Sequence, residues 1–143
     1  MQRQRPGTRR KISLAAASLL SAALILPCAA VSKLSASLDP RLLFGYLALT
    51  SAVTFGMYYR DKRRASAGEW RISEATLHVA ELLGGWPGAF LAQRLLRHKI
   101  VKGAYQVAFW LIILLHQYVA LDYLRDWSVT RQLLSTLHRV LPR

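Results

Sequence analysis

The chain has 143 residues, 53% hydrophobic and 19% charged, with twenty Lys and Arg against seven Asp and Glu for a net charge of +13. That is one domain by length. Long charge-free runs alternate with short basic stretches, a segregation that excludes a disordered chain and an ordinary soluble globule. The basic excess reads either as a nucleic-acid surface or as loops flanking membrane helices beside an anionic leaflet. The bases adjoin apolar runs, which favours the second reading. Cys28 is the sole cysteine, so the sequence offers neither an internal disulfide nor a cysteine-only metal site. Within its apolar run it reads as a small packing residue.

Residues 1–11 carry Arg3, Arg5, Arg9, Arg10 and Lys11 with no acid and read as a basic cytoplasmic N-terminus. Ile12 to Val31 has no charge. At 1.5 Å per residue this run spans about 30 Å, the thickness of a bilayer core. Residues 12–31 therefore predict a transmembrane helix or uncleaved signal anchor, kinked near Pro27. A cleaved signal peptide with Cys28-Ala29-Ala30 as its small-residue site is the competing reading, and Thr8-Arg9-Arg10-Lys11-Ile12 faintly resembles a twin-arginine signal. The run is long for a signal core, so retention is expected.

Ser32 to Arg41 reads as a linker, and Leu42 to Tyr59 as a second apolar helix. Its Gly45, Ala48, Ala52 and Gly56 share one face, a small-residue stripe suited to close packing. Arg60 to Glu74 reads as a polar loop, with Ser73 as the N-cap of the next helix and Glu74 at its positive end. Ala75 to Ala92 is apolar but contains His78 and Glu81, and is interrupted by the structural turn Gly84-Gly85-Trp86-Pro87-Gly88. Those five residues do not fit a straight helix. Gln93 to Gly103 is basic, and Ala104 to Leu121 is the last apolar run, with Gln106, His116 and Gln117 as its polar members. Residues 122–143 form a tail in which Trp127, Leu134, Leu137 and Leu141 recur at helical spacing, as in an amphipathic helix lying on a membrane. Trp70, Trp86, Trp110 and Trp127 read as interface or packing aromatics.

The basic N-terminus and residues 60–74 fall on the cytoplasmic side. Residues 75–92 either span, as a fourth membrane helix, or turn back. Counting bases does not separate these topologies. The bases of 93–103 lie close to helix ends, where the positive-inside rule is strongest. Glu81 on a lipid-exposed spanning helix costs about 2.5–3.5 kcal/mol on insertion scales. The Gly/Trp/Pro segment is turn chemistry. A hairpin re-entering from the cytoplasmic side is expected.

Tyr58-x-x-Asp61-Lys62-x-x-Ala65, Arg71-Ile72-Ser73-Glu74, Leu82-Leu83-Gly84-Gly85-Trp86-Pro87-Gly88 and Arg97-His98-Lys99-x-x-Lys102 follow one another in order, with Phe109-Trp110 beyond. Together they resemble the bacterial membrane family called domain of unknown function 1294, over roughly residues 42 to 118. The resemblance implies a membrane domain, here residues 42–121, and no particular activity. Many members carry a cold-shock domain ahead of the membrane part. No Lys-Gly-Phe-Gly-Phe motif or strand-rich segment stands before Ile12, so a nucleic-acid partner is not expected. Members often have asparagine where His116 stands, and no family role is carried to it.

Glu74, His78 and Glu81 are spaced by four and three and share a helix face. His78 and Glu81 are candidate catalytic residues or part of a metal site; the structural alternative is that Glu74 caps the helix while His78 and Glu81 bond to each other or to the basic loops. No second cluster completes a metal site. Asp61, Lys62, Arg71, Glu74, Arg97, His98, Lys99 and Lys102 are the candidate binding residues. Asp61 can pair with Arg97 or Lys99, or the two loops can hold an anionic headgroup. Gly84, Gly85 and Gly88 lack the preceding strand and the spacing of a dinucleotide fingerprint.

The reading is an all-α, small polytopic protein of the bacterial inner membrane, with three spanning helices plus a re-entrant hairpin and its N-terminus in the cytoplasm. No cofactor is expected. Its partners are the lipid bilayer, anionic headgroups and either an acidic protein or further copies of itself. An intramembrane enzyme using His78 and Glu81 and an oligomeric transporter are the alternatives.

Overall fold

A computed structural model describes residues 12–98 and 102–140. Among them six α-helices and one π turn are present: α1 (Leu14–Leu34), α2 (Pro40–Ala67), α3 (Glu74–Ala80), the turn Glu81–Gly85, α4 (Trp86–Leu96), α5 (Gly103–Leu124) and α6 (Ser128–Val140). The architecture is all-helical, and α1, α2 and α5 are each long and apolar enough to cross a membrane.

α1 starts at Ser13, whose hydroxyl accepts from Ala16 N at 3.2 Å, and continues through Pro27. A proline in mid-helix leaves the carbonyl four residues earlier without its donor. That carbonyl is Ala23 O, and Gln117 of α5 donates to it at 2.8 Å. A neighbouring helix thus repairs the break, as hydrocarbon requires.

α2 is capped by Asp39, has Pro40 in its first turn, and ends at Gly68 with φ +71°. It extends eight residues beyond the apolar run that ends at Tyr59. The loop expected over residues 60–74 is therefore helical as far as Ala67. Charge marks where hydrocarbon stops, whereas a helix stops at a breaker, and Gly68 is the first one. Similarly, α5 continues to Leu124 and includes Asp122. The buried Asp122 carboxylate accepts from Val129 N at 2.9 Å and from Thr130 N, capping the first turn of α6.

The direction of each element follows from its contacts with α2. Ile72 N, just before α3, donates to Asp61 at 3.0 Å. Further on, Tyr46 OH donates to Leu83 O at 2.8 Å. The chain has moved from the end of α2 to near its start. Beyond the turn Gln93 meets Tyr58 at 3.1 Å, Lys62 Nζ caps Leu96 O, and His98 meets Asp61 at 2.7 Å. α4 thus runs back alongside α2. Residues 74–96 form a hairpin whose two ends lie together at Asp61 and whose apex lies near Tyr46 and Thr50. α5 starts at that same end and runs parallel to α1: Gln117 pairs with Ala23, and Lys33 with Tyr123 O and Leu124 O. At the far end Lys33 Nζ also meets Asp126 at 2.6 Å, and its hydrogen bond and charge hold that carboxyl below the ordinary aspartate value.

The core lies between α2, the hairpin and α5, built on Tyr58, Leu77, Trp86, Ala89, Phe90, Tyr105, Phe109 and Ile113. Leu19, Ile25, Leu42, Leu49, Val53, Leu111 and Leu114 are exposed. The outside of the bundle is as apolar as the inside, so burying greasy surface does not hold such helices together. Close packing and interhelical hydrogen bonds do so.

Candidate functional site

Two polar clusters tie the hairpin to α2 and α5. The deeper one centres on Glu81, which is fully buried. Its Oε1 accepts the hydroxyls of Tyr58 and, at 2.9 Å, Tyr105, while Oε2 meets His78 Nδ1 at 2.7 Å. The two tyrosine oxygens are 2.5 Å apart. Gln93 Nε2 donates to Tyr58 OH, and Gln106 Nε2 to Gln93 Oε1 at 2.8 Å. The His78 ring stacks on Tyr105 with centroids 4.2 Å apart. The end of α3 positions this set: Glu81 stands one turn after His78 on the same face, beside Tyr58, and Gly84 at φ +96° then reverses the chain. Among the described residues no buried side-chain nitrogen or oxygen lacks a partner. That completeness matters because hydrocarbon supplies no water to make up a missing bond.

The second cluster lies at the hairpin's open end. Asp61, also fully buried, takes Ile72 N on Oδ1 and His98 Nε2 on Oδ2, with Arg71 at 3.6 Å. One carboxylate therefore holds the entry and the exit of the hairpin. Lys62 closes the C-terminus of α4 on Leu96 O, a cation at the negative end of a helix. Glu74 pairs with Lys102 at 2.7 Å, joining the hairpin to the start of α5.

The residues singled out from the sequence are mostly brought together here, though in different pairs. Of the alternatives open to them, His78 and Glu81 bond to each other, while Glu74 turns to Lys102. The cation expected on Asp61 was Arg97 or Lys99. Its described partners are His98 and Arg71; Arg97 instead adopts the left-handed conformation that ends α4, at φ +49°. Lys99 lies outside the described residues. Gly84, Gly85, Trp86, Pro87 and Gly88 make the turn and the start of α4. The stripe of Gly45, Ala48, Ala52 and Gly56 is not the wall on which the hairpin packs. Gly45 and Gly56 have open space around them, and the hairpin lies on the face carrying Thr50, Ser51, Thr54 and Tyr58.

The sequence reading did not pick out Tyr58, Tyr105 and Gln93 as one polar unit with Glu81. Tyr58 opens a family motif, and Gln106 stands out in its apolar run. Those were the available signals.

Three apolar spans, a hairpin of part depth and a closed polar interior fit an integral membrane protein. Residues 51–105 match the model of a family described as "Protein of unknown function (DUF1294)". The match covers the last part of α2, the whole hairpin and the start of α5, which are the segments that build both clusters, and it supports the resemblance read from the motifs. No curated protein and no solved structure matches the chain.

Proposed function

We propose that this is a bacterial inner-membrane protein, N-terminus in the cytoplasm, that holds anionic lipid headgroups on its cytoplasmic face without catalysing a reaction. One observation carries the reading. Near the hairpin's open end Asp61 is engaged by His98 and Arg71 and Glu74 by Lys102, whereas Arg60, Arg63, Arg94 and Arg97 remain exposed there against a single exposed acid among the described residues of that end, Glu69. A juxtamembrane cation is worth about 1 kcal/mol toward an anionic surface. Residues 1–11 add five more bases in sequence before α1.

An enzyme built on His78 and Glu81 is less well supported, because three protein donors already fill both Glu81 oxygens. The test is native mass spectrometry of purified protein offered phosphatidylglycerol and phosphatidylcholine together. Wild type should retain the anionic lipid selectively. The triple variant Arg63→Gln, Arg94→Gln, Arg97→Gln should bind it on the order of a hundredfold more weakly. Equal retention of both lipids by wild type defeats the reading, and retention of an acidic protein in their place assigns the face to that partner.

A further inference from the structure

The hairpin stops short of the start of α2, its apex lying beside Tyr46, Leu47 and Thr50. Past its apex, α1, α2 and α5 continue without it, and a groove of about 770 Å³ lies between them. Gly84, Trp86 and Pro87 form its floor. Its walls run from Leu24 to Leu34 on α1, with Ala48 on α2 and Leu115 to Tyr123 on α5. The lining is almost wholly apolar.

We propose that this groove holds one acyl chain of a phospholipid from the leaflet opposite the hairpin's open end. The enclosing helices are the three apolar spans, so the open side of the groove faces hydrocarbon. Leu24 to Leu34 covers about 15 Å at 1.5 Å per residue, half of a core roughly 30 Å thick and the depth of one leaflet. The volume falls in the ordinary range for small-molecule sites, about 300–1,000 Å³.

The mouth carries the signature of the headgroup level. Tyr123 and Trp127 line it, and Lys33 sits beside them with Nζ 5.2 Å from the Tyr123 ring centroid. Aromatic rings and cations gather at that depth. A headgroup at the mouth with its tail along α1 satisfies both ends of the groove.

The polar members of the lining are few, Cys28, Ser51, His116 and Tyr123, and His116 already engages one ring nitrogen within its own helix. Its Nδ1 donates to Ile112 O at 2.8 Å, and the ring lies near Trp86 with centroids 6.4 Å apart. Left unfilled, the lining forfeits dispersion contacts along its whole length. An alkyl chain restores them without asking for a hydrogen bond.

The experiment uses the full chain in detergent with Trp70→Phe, Trp110→Phe and Trp127→Phe, leaving Trp86 on the groove floor as the sole fluorophore. The probe is phosphatidylcholine brominated along its acyl chains. A zwitterionic lipid separates this site from the anionic-headgroup reading, and either result stands without the other. Saturable quenching of Trp86 is expected, with one phospholipid adduct per protein by native mass spectrometry. Ala48→Phe and Ala30→Phe each push a ring into the groove from a different helix, and each should weaken saturation about tenfold by displacing part of the chain from its dispersion contacts. Both alanines lie outside the core, and unchanged helical circular dichroism confirms folding. Quenching that does not saturate, or that matches wild type in a folded variant, overturns the proposal. So does a wild-type mass without a phospholipid adduct, or a dimer mass in its place.

Discussion

Glu81 illustrates what a buried carboxylate demands of its surroundings. Its three donors come from α2, α3 and α5, so the same side chain that satisfies its own charge joins three helices. Glutamine can take over much of this arrangement: its oxygen accepts both tyrosine hydroxyls, and its amide donates to His78 Nδ1 in the other tautomer. Leucine cannot, and it strands His78 Nδ1 and one tyrosine hydroxyl, the other being able to donate to its neighbour. Each buried donor left unmatched costs about 1–3 kcal/mol. Thermal unfolding in detergent should therefore find Glu81→Gln close to wild type and Glu81→Leu strongly destabilised. A Glu81→Gln protein as unstable as Glu81→Leu means that the carboxylate's charge itself, and not its geometry, holds the cluster. Gln117 performs the same service on a smaller scale for the Ala23 carbonyl that Pro27 leaves open.

The hairpin depends on glycine at positions where its two arms touch α2. Gly84 takes a backbone conformation that side chains resist, φ +96°. Gly88 does something else: a Cβ there would run into the backbone of Ser51, which cannot swing aside, and one on Gly85 would meet Thr54 and the carbonyls of Ala80 and Thr50. α4 therefore approaches α2 more closely than any side chain allows, the role that small residues serve between membrane helices. Overpacking of this kind costs about 1–3 kcal/mol, and more against backbone. Gly88→Ala should lower the melting temperature clearly, while Gly56→Ala, with open space around it, should leave it unchanged or raise it slightly. Loss of stability in Gly56→Ala and not in Gly88→Ala reverses the assignment of the packed face.

At the scale of the whole molecule, the hairpin fixes sidedness. Because it turns back, residues 68–73 share one end of the bundle with Arg97, His98 and Lys102, and the turn between α1 and α2 lies at the other with α6. In a Cys28→Ser background, single cysteines at Ala67 and Gly103 should be labelled from the same face of the membrane, and one at Ser37 from the opposite face. Opposite labelling of Ala67 and Gly103 establishes a fourth span instead. The sequence by itself determined the three apolar helices, the break at Gly84 to Pro87 and the Ser73 cap, and placed His78 and Glu81 on one helix face. These rest on hydropathy, backbone preference and neighbours within one helical turn, all of which act locally. Two matters were left to the tertiary structure: that Asp61 holds both ends of the hairpin through Ile72 and His98, and that Tyr58 and Tyr105 close on Glu81. The physical reason is range. Tyr58 and Tyr105 are forty-seven positions apart, and no local periodicity records which faces of α2 and α5 come together. Packing around a hairpin that reaches only part way selects those faces, and that same partial reach opens the groove beyond its apex.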